Sequence, residues 1–281
     1  DGIISGWNKK AEELFGWKKD EVIGKSFIDL MLEEDEKEIW HERVKEFFEK
    51  EVLAHSINKN FTKDKKVITC EWKNALMPEK LGYHQEVISL AIDITKRLEL
   101  EEEVHNLAFQ DSLTQLPNRR LFIEHLKQTL AQTNRSKEFS AVLFLDLDNF
   151  KPLNDNYGHE LGDFLLMEVS TRLKNSIREM DIVSRFGGDE FLMLFTRLGE
   201  SESEAINNTK TLTTKIMDNL AKPYFLKSRV GENIEHKCTV SIGVRLFKDE
   251  EIDYESLIQS ADKLMYDAKK DGRNQIKISA V

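Results

Sequence analysis

The sequence predicts an α+β protein in two units: an N-terminal antiparallel sheet with helices and, after a connector helix, an α/β unit whose central sheet is flanked by helices. Three observations carry this. The chain has 281 residues, and domains run to about 100–200 residues, which makes two of them. Within residues 1–95, strand-like stretches are separated by polar turns, the mark of antiparallel pairing. Beyond residue 110, short apolar runs alternate with segments of helical length, the pattern of helices covering a sheet. The expected boundaries are 1–95, 96–110 and 111–281.

In the first unit, residues 3–7 read as a short strand, and Asn8 as the cap of a helix with Ala11, Leu14 and Phe15 at helical spacing. Gly16 ends that helix. Residues 35–50 predict a second helix, with Ile39, Trp40, Val44, Phe47 and Phe48 in one apolar stripe. Residues 67–72 and 87–92 are strands, each entered by a polar turn, at 63–66 and 79–82. Trp7, Trp17, Trp40 and Trp72 read as packing residues.

Residues 94–110 contain no Gly or Pro and predict a continuous helix. Leu100, Val104 and Leu107 are spaced four and three apart, as in a coiled-coil seam, but over less than the usual three or four heptads. Two readings stay open: a helix packed on its own domain, or a short dimer-forming connector. The second unit then reads helix 117–132, strand 141–145, helix 159–179, a strand pair around Gly187-Gly188, a helix near 201–221, strand 239–246 and helix 254–270.

Composition narrows the function. Hydrophobic residues make up 40% and charged residues 33%, as in a globular chain, and four prolines with 13 glycines argue against collagen-like or Pro/Gly-driven disorder. The 41 basic and 51 acidic residues leave a net charge of −10, which argues against broad electrostatic binding to nucleic acid. A small nucleotide remains open, because a bound metal supplies positive charge locally. Cys70 and Cys238 lie far apart and outside any CxxC pair, so the reading is a reducing compartment, expected to be cytoplasmic. No apolar run approaches the roughly 20 residues needed to cross a bilayer, and no membrane partner is expected within this chain. The abrupt start at Asp1-Gly2-Ile3-Ile4 predicts a trimmed piece of a longer protein, with a membrane tether upstream left open.

The chemistry concentrates in two acidic segments. The apolar strand 141–145 runs into Asp146-Leu147-Asp148, and ligands of open α/β sheets gather at such strand ends. A hard cation such as Mg²⁺ takes carboxylates together with substrate phosphates. One of the pair, Asp148, also suits a turn cap. The second segment is Arg185-Phe186-Gly187-Gly188-Asp189-Glu190-Phe191, a Gly-Gly hairpin with adjacent carboxylates. Such carboxylates raise each other's pKa unless a cation neutralises them. Alone, this hairpin is a solvated turn; beside the Asp-Leu-Asp strand end, a metal site is the better reading.

The N-terminal unit resembles a PAS sensor domain through Asp1-Gly2-Ile3-Ile4, Trp7-Asn8, Gly16-Trp17, Glu21-Val22-Ile23-Gly24-Lys25 and Asp93-Ile94-Thr95. The family's first strand has no counterpart here, and its Lys-Asp-Gly turn reads Lys63-Asp64-Lys65. The C-terminal unit resembles the GGDEF family, the diguanylate cyclases. Besides Gly187-Gly188-Asp189-Glu190-Phe191 it has Asp111-Ser112-Leu113-Thr114, Leu116-Pro117-Asn118-Arg119-Arg120 and Asp146-Leu147-Asp148-Asn149-Phe150-Lys151 with Asn154-Asp155. Tyr157-Gly158-His159, Gly162-Asp163, Val240-Ser241-Ile242-Gly243, Ala268-Lys269 and Gly272-Arg273-Asn274 follow in the family's order. Gln115 stands where a Gly is common.

The resemblance implies condensation of two GTP into cyclic di-GMP with release of two pyrophosphates, in a symmetric homodimer whose half-sites face each other. It implies Asp146, Asp189 and the Leu147 carbonyl as ligands of Mg²⁺, two ions per half-site, with Mn²⁺ as the alternative. It implies Asp189 as acceptor of the 3′-hydroxyl proton, with Glu190 as alternative or helper. Asn154 and Asp163 match the guanine-reading positions, and Asn149, Phe150, Lys151, Lys269 and Arg273 the phosphate-holding ones. Arg178 and Asp181 match the family's Arg-x-x-Asp inhibitory site, where product binds. A downstream phosphodiesterase domain is left open.

A reading of another class is a catalytically silent GGDEF module that binds GTP or cyclic di-GMP and passes a signal. The presence of Asp146, Asp189 and Glu190 favours the enzyme. The PAS ligand is left open; His41, His55 and His84 are haem candidates in principle only, since lone histidines are more often surface or core residues. Gly24-Lys25-Ser26 resembles a P-loop ending, but Lys19 stands where that loop requires Gly.

Overall fold

The computed structural model describes residues 2–32, 37, 54–77, 86–227, 233–248 and 252–280. The expected helix at 35–50 with its stripe and Trp40, the turn at 79–82, and His41 and His84 lie outside the described residues. The chain forms two compact units, Asp1–Val104 and His105–Val281.

The first unit opens with three short helices, α1 (Lys9–Phe15), α2 (Lys19–Val22) and α3 (Phe27–Met31). Asn8 caps α1, its side chain accepting from Ala11 N at 2.8 Å, and Gly16 ends it at φ +77°, a left-handed conformation that suits glycine. An antiparallel sheet follows in the order β1 (Ala54–Phe61), β2 (Val67–Leu76) and β3 (Val87–Asp93). Phe15, Met31, Ile68, Cys70 and Trp72 form the core between helices and sheet. Trp72 donates to Asn60 Oδ1 at 3.0 Å, so its indole is buried without an orphan N–H. Residues 3–7 do not form the expected strand. Ile3 makes an isolated bridge to Ser26, because the paired segment is only a short link between two helices. Helix α4 (Thr95–Phe109) is continuous and buries none of its residues. Leu100, Val104 and Leu107 are 46%, 65% and 72% exposed.

The second unit is a five-stranded sheet in the order β10 (Ile276–Ser279), β9 (Val240–Phe247), β4 (Ser140–Leu147), β6 (Glu190–Phe195), β5 (Ile182–Gly187). All pairs are antiparallel except β10 with β9. Helices α5 (Arg119–Ser136) and α9 (Tyr254–Lys270) cover one face, where Phe122, Leu126 and Leu257 meet Val142, Phe144 and Leu192. On the other face α7 (His159–Lys174) and α8 (Glu202–Leu220) pack Leu165, Val169 and Ile216 against Leu143, Leu145 and Phe191. Every residue of β4 is buried, as its unbroken apolar run requires of a central strand. Four elements of this unit were not anticipated: α6 (Phe150–Tyr157), the hairpin strands β7 (Tyr224–Lys227) and β8 (Asn233–His236), and β10; in the first unit α2, α3 and β1 were not anticipated either.

Helix α7 stops at Lys174 rather than 179, where the Ser176 hydroxyl folds back onto the Arg172 carbonyl at 2.6 Å. Arg172 itself closes the end of α8, donating to the carbonyls of Asn219, Lys222 and Pro223 at 3.1, 2.7 and 2.7 Å while its guanidinium lies over the Tyr224 ring. Arg172→Ala strips these carbonyls of a charged donor and uncovers the ring. The expected loss of stability is about 3 kcal/mol, read by urea unfolding; a change below about 0.5 kcal/mol would show that solvent replaces the guanidinium.

Candidate active site

The two acidic segments meet at the end of the central strands. Asp146, next to last in β4, is the cross-strand partner of Glu190, the first residue of β6. Directly opposed residues hold their Cβ atoms about 5 Å apart. Asp189 sits in the turn between β5 and β6, and its carbonyl accepts from Leu147 N at 3.3 Å. Gly188, in the same turn, has φ +54°, a conformation that glycine adopts without strain. The pairing of Gly187 with Glu190 leaves a two-residue loop, and an irregularity between Arg185 and Gly187 twists the strand into it.

Asp146 is 5% exposed, and the Lys269 ammonium lies 2.6 Å from its Oδ1. Burial pushes the Asp146 carboxyl up to about 6; Lys269 opposes the rise, while the charges of Asp189 and Asp148 add to it. Glu190 is raised as well, first by burial and then by the charges of Asp146, Asp262 and Asp189. Hard oxygen donors crowded until they raise one another are the setting a divalent cation neutralises. Among the described residues no three His, Cys, Asp or Glu side chains form a cage by themselves; a divalent cation held here would take phosphate or water oxygens for the rest of its shell. That fits Mg²⁺, which is held by one or two carboxylates plus substrate.

Asp148 is engaged within the protein. It accepts from Thr239 Oγ1 at 2.7 Å, Ser241 Oγ at 2.8 Å and Asn274 N at 3.1 Å, tying the end of β4 to β9 and to the loop that holds Arg273. The turn-cap reading of this residue was therefore too local.

Asn149 follows β4 in the left-handed region (φ +62°) and starts α6. This exposes Asn149 and Lys151 beside the acidic cluster while Phe150 is buried. Asn154 lies on α6 and Asp163 on α7; Asp163 is exposed, whereas Asn154 Oδ1 is buried with no hydrogen-bond partner among the described residues. A buried amide oxygen without a partner costs about 1–3 kcal/mol and marks a place where a ligand has something to offer. Arg273, at φ +63°, is exposed beyond α9.

Arg178 and Asp181 stand at the far end of β5, roughly 20 Å from the turn by strand rise, and form a separate place. Both Asp181 oxygens accept backbone amides, from Thr196 at 3.2 Å and Arg178 at 3.3 Å, and burial raises its carboxyl. The Arg178 side chain is exposed.

Two partners escaped the sequence reading. Lys269, expected on phosphate, also contacts Asp146. Arg185 bridges two of the quoted motifs: it donates to Asp111 Oδ1 and Oδ2 at 3.0 and 3.2 Å and to the Gly188 carbonyl at 2.9 and 3.0 Å. An Arg two residues before the Gly-Gly pair was the available signal.

Comparison with known proteins identifies the families of both units. The family model described as "Diguanylate cyclase, GGDEF domain" matches residues 108–275, and one described as "PAS fold" matches residues 1–94. The bifunctional diguanylate cyclase/cyclic di-GMP phosphodiesterase MucR of Pseudomonas aeruginosa is 39% identical over 172 residues, covering 61% of this chain and 24% of its own length. The cyclic di-GMP phosphodiesterase PdeR of Escherichia coli is 30% identical over 275 residues, 98% of this chain and 40% of its own. The chain thus spans less than half the length of either relative. Among solved structures, the coiled coil and GGDEF domain of DgcB from Caulobacter crescentus, in complex with c-di-GMP, superposes with a TM-score of 0.57 at 30% identity, over 66% of this chain and 93% of that one.

Proposed function

Because the chain belongs to the GGDEF family, with a PAS domain ahead of the GGDEF domain, we propose that it is a diguanylate cyclase that joins two GTP into cyclic di-GMP and two pyrophosphates. The observation that carries this is the pairing of Asp146 with Glu190 beside Asp189 and Lys269, an acidic cluster built from two remote segments at a sheet end. Each 3′-hydroxyl attacks the α-phosphate of the opposite GTP, so two half-sites face each other in a symmetric homodimer. Asp146, Asp189 and the Leu147 carbonyl are the residues that would hold a divalent metal, with Mg²⁺ the natural choice. When bound, the metal supplies positive charge against the triphosphate. Asp189 accepts the hydroxyl proton, with Glu190 as its alternative. Asn154 and Asp163 read guanine. Lys151, Lys269, Arg273 and the backbone around Asn149 and Phe150 hold the phosphates.

The exposed seam of Leu100, Val104 and Leu107 on α4 supports a connector that pairs with its copy and passes the state of the PAS domain to the half-sites. Among the described residues no helix is long and apolar enough to cross a membrane.

A second reading, a silent nucleotide-binding module, draws on the match to PdeR, a protein named as a phosphodiesterase and aligned over 98% of this chain. The intact acidic cluster favours the cyclase. Incubation with GTP and Mg²⁺, followed by chromatographic identification of the product, decides between them; folded protein that yields no cyclic di-GMP, even with product continuously removed, selects the silent module.

Arg178 and Asp181 are proposed as the inhibitory site for the product. With Asp181 tied to backbone amides, the exposed Arg178 guanidinium is the principal handle. Arg178→Ala is expected to raise the cyclic di-GMP concentration for half-inhibition about tenfold or more, measured in the same assay; an unmoved inhibition curve rejects the assignment.

A further inference from the structure

We propose that Gly162 is a positioning residue for base recognition, its missing side chain being what lets Asn154 occupy the cleft between α6 and α7. The inference rests on the function proposed above and goes further in naming what places the guanine reader.

Gly162 is a buried residue in the first turn of α7, with no positive φ, so its backbone does not call for glycine. By helix propensity alone Ala would be the better residue there. The reason lies across the cleft. A methyl group built on Gly162 would overlap Asn154 Oδ1 and would stand 3.0 Å from Asn154 Cγ and 3.1 Å from Phe150 Cζ. The amide thus fills the volume that a side chain at 162 would take. Its Oδ1 is buried there with no hydrogen-bond partner among the described residues. The adjacent residue, Asp163, is exposed.

The obstruction is the tip of a side chain and not the backbone. Gly162→Ala therefore leaves the fold a simple way out: the Asn154 amide swings away and α7 stays in place. The substitution falls on recognition and spares stability.

The test is equilibrium binding of GTP in the presence of Mg²⁺, by calorimetry on the full chain, with a thermal melt of each variant. Gly162→Ala is expected to melt at or above the parent temperature and to weaken GTP binding by about tenfold, with ATP binding barely changed. In an Asn154→Ala background, Gly162→Ala is expected to change the GTP Kd by less than about twofold, because the group it displaces is already gone. A lower melting temperature with an unchanged GTP Kd would overturn the proposal in favour of plain packing, as would losses that multiply in the double variant. Product formation is not read. Protein that binds GTP but makes no cyclic di-GMP defeats the proposed function and leaves this test intact, whereas protein that binds no GTP defeats both.

Discussion

Asp189→Ala is expected to reduce cyclic di-GMP formation by about a thousandfold or more. Two losses coincide in this change. The turn loses a carboxylate whose charge acts on the buried Asp146, and with it much of the negative charge that, on the function proposed above, would hold a divalent cation at the strand end. On the function proposed above, the attacking hydroxyl also loses its proposed proton acceptor. Glu190 remains as the alternative acceptor, but strand register holds it opposite Asp146 and not in the turn. The fold has little stake in the side chain: the hydrogen bond from Leu147 goes to the Asp189 carbonyl, which Ala retains. Circular dichroism should therefore be unchanged while chromatography finds no product. Turnover above about a tenth of the parent value would remove Asp189 from the chemistry.

The second large effect is on stability. Gly243 lies in β9, opposite Phe144 of β4 and Lys277 of β10. A methyl group there would overlap Ala261 O and Met265 N and stand 2.8 Å from Leu264 C. All three are backbone atoms of α9, so no rotamer change relieves the clash. The helix has to lift off the sheet, and with it goes Lys269. Gly243→Ala is expected to cost about 4 kcal/mol or more, seen as a lowered urea midpoint or as insoluble protein. A midpoint within about 1 kcal/mol of the parent would mean that the helix shifts freely. The contrast with Gly162 is instructive: there the same added methyl meets only a side-chain tip.

What the sequence made legible follows from how local each signal is. Strand β4 could be read because its buried centre, residues 141–145, is an unbroken apolar run, and the hairpin because Gly-Gly with two carboxylates has few other uses. Helix α6 was missed because it is eight residues long and carries Pro152; at the third position of a helix proline is tolerated, since the first amides have no partner anyway. The hairpin β7–β8 has strands of four residues, too short to show alternation. Residues 3–7 had strand composition, but composition does not supply a partner of matching length. In the site, the residue types were readable and their pairings were not. Nothing in the spacing of Asp146 and Lys269 says that one rests on the other, because that contact is made by α9 crossing the sheet.

Asp148 has a consequence for chimeras. Its carboxylate joins three stretches that are remote in the chain, through Thr239, Ser241 and the amide of Asn274. A C-terminal segment grafted from a relative brings the loop of Arg273, proposed above to hold phosphate, into place only if its equivalents of 239 and 241 still offer hydroxyls to residue 148. Without them the transplanted loop arrives unmoored.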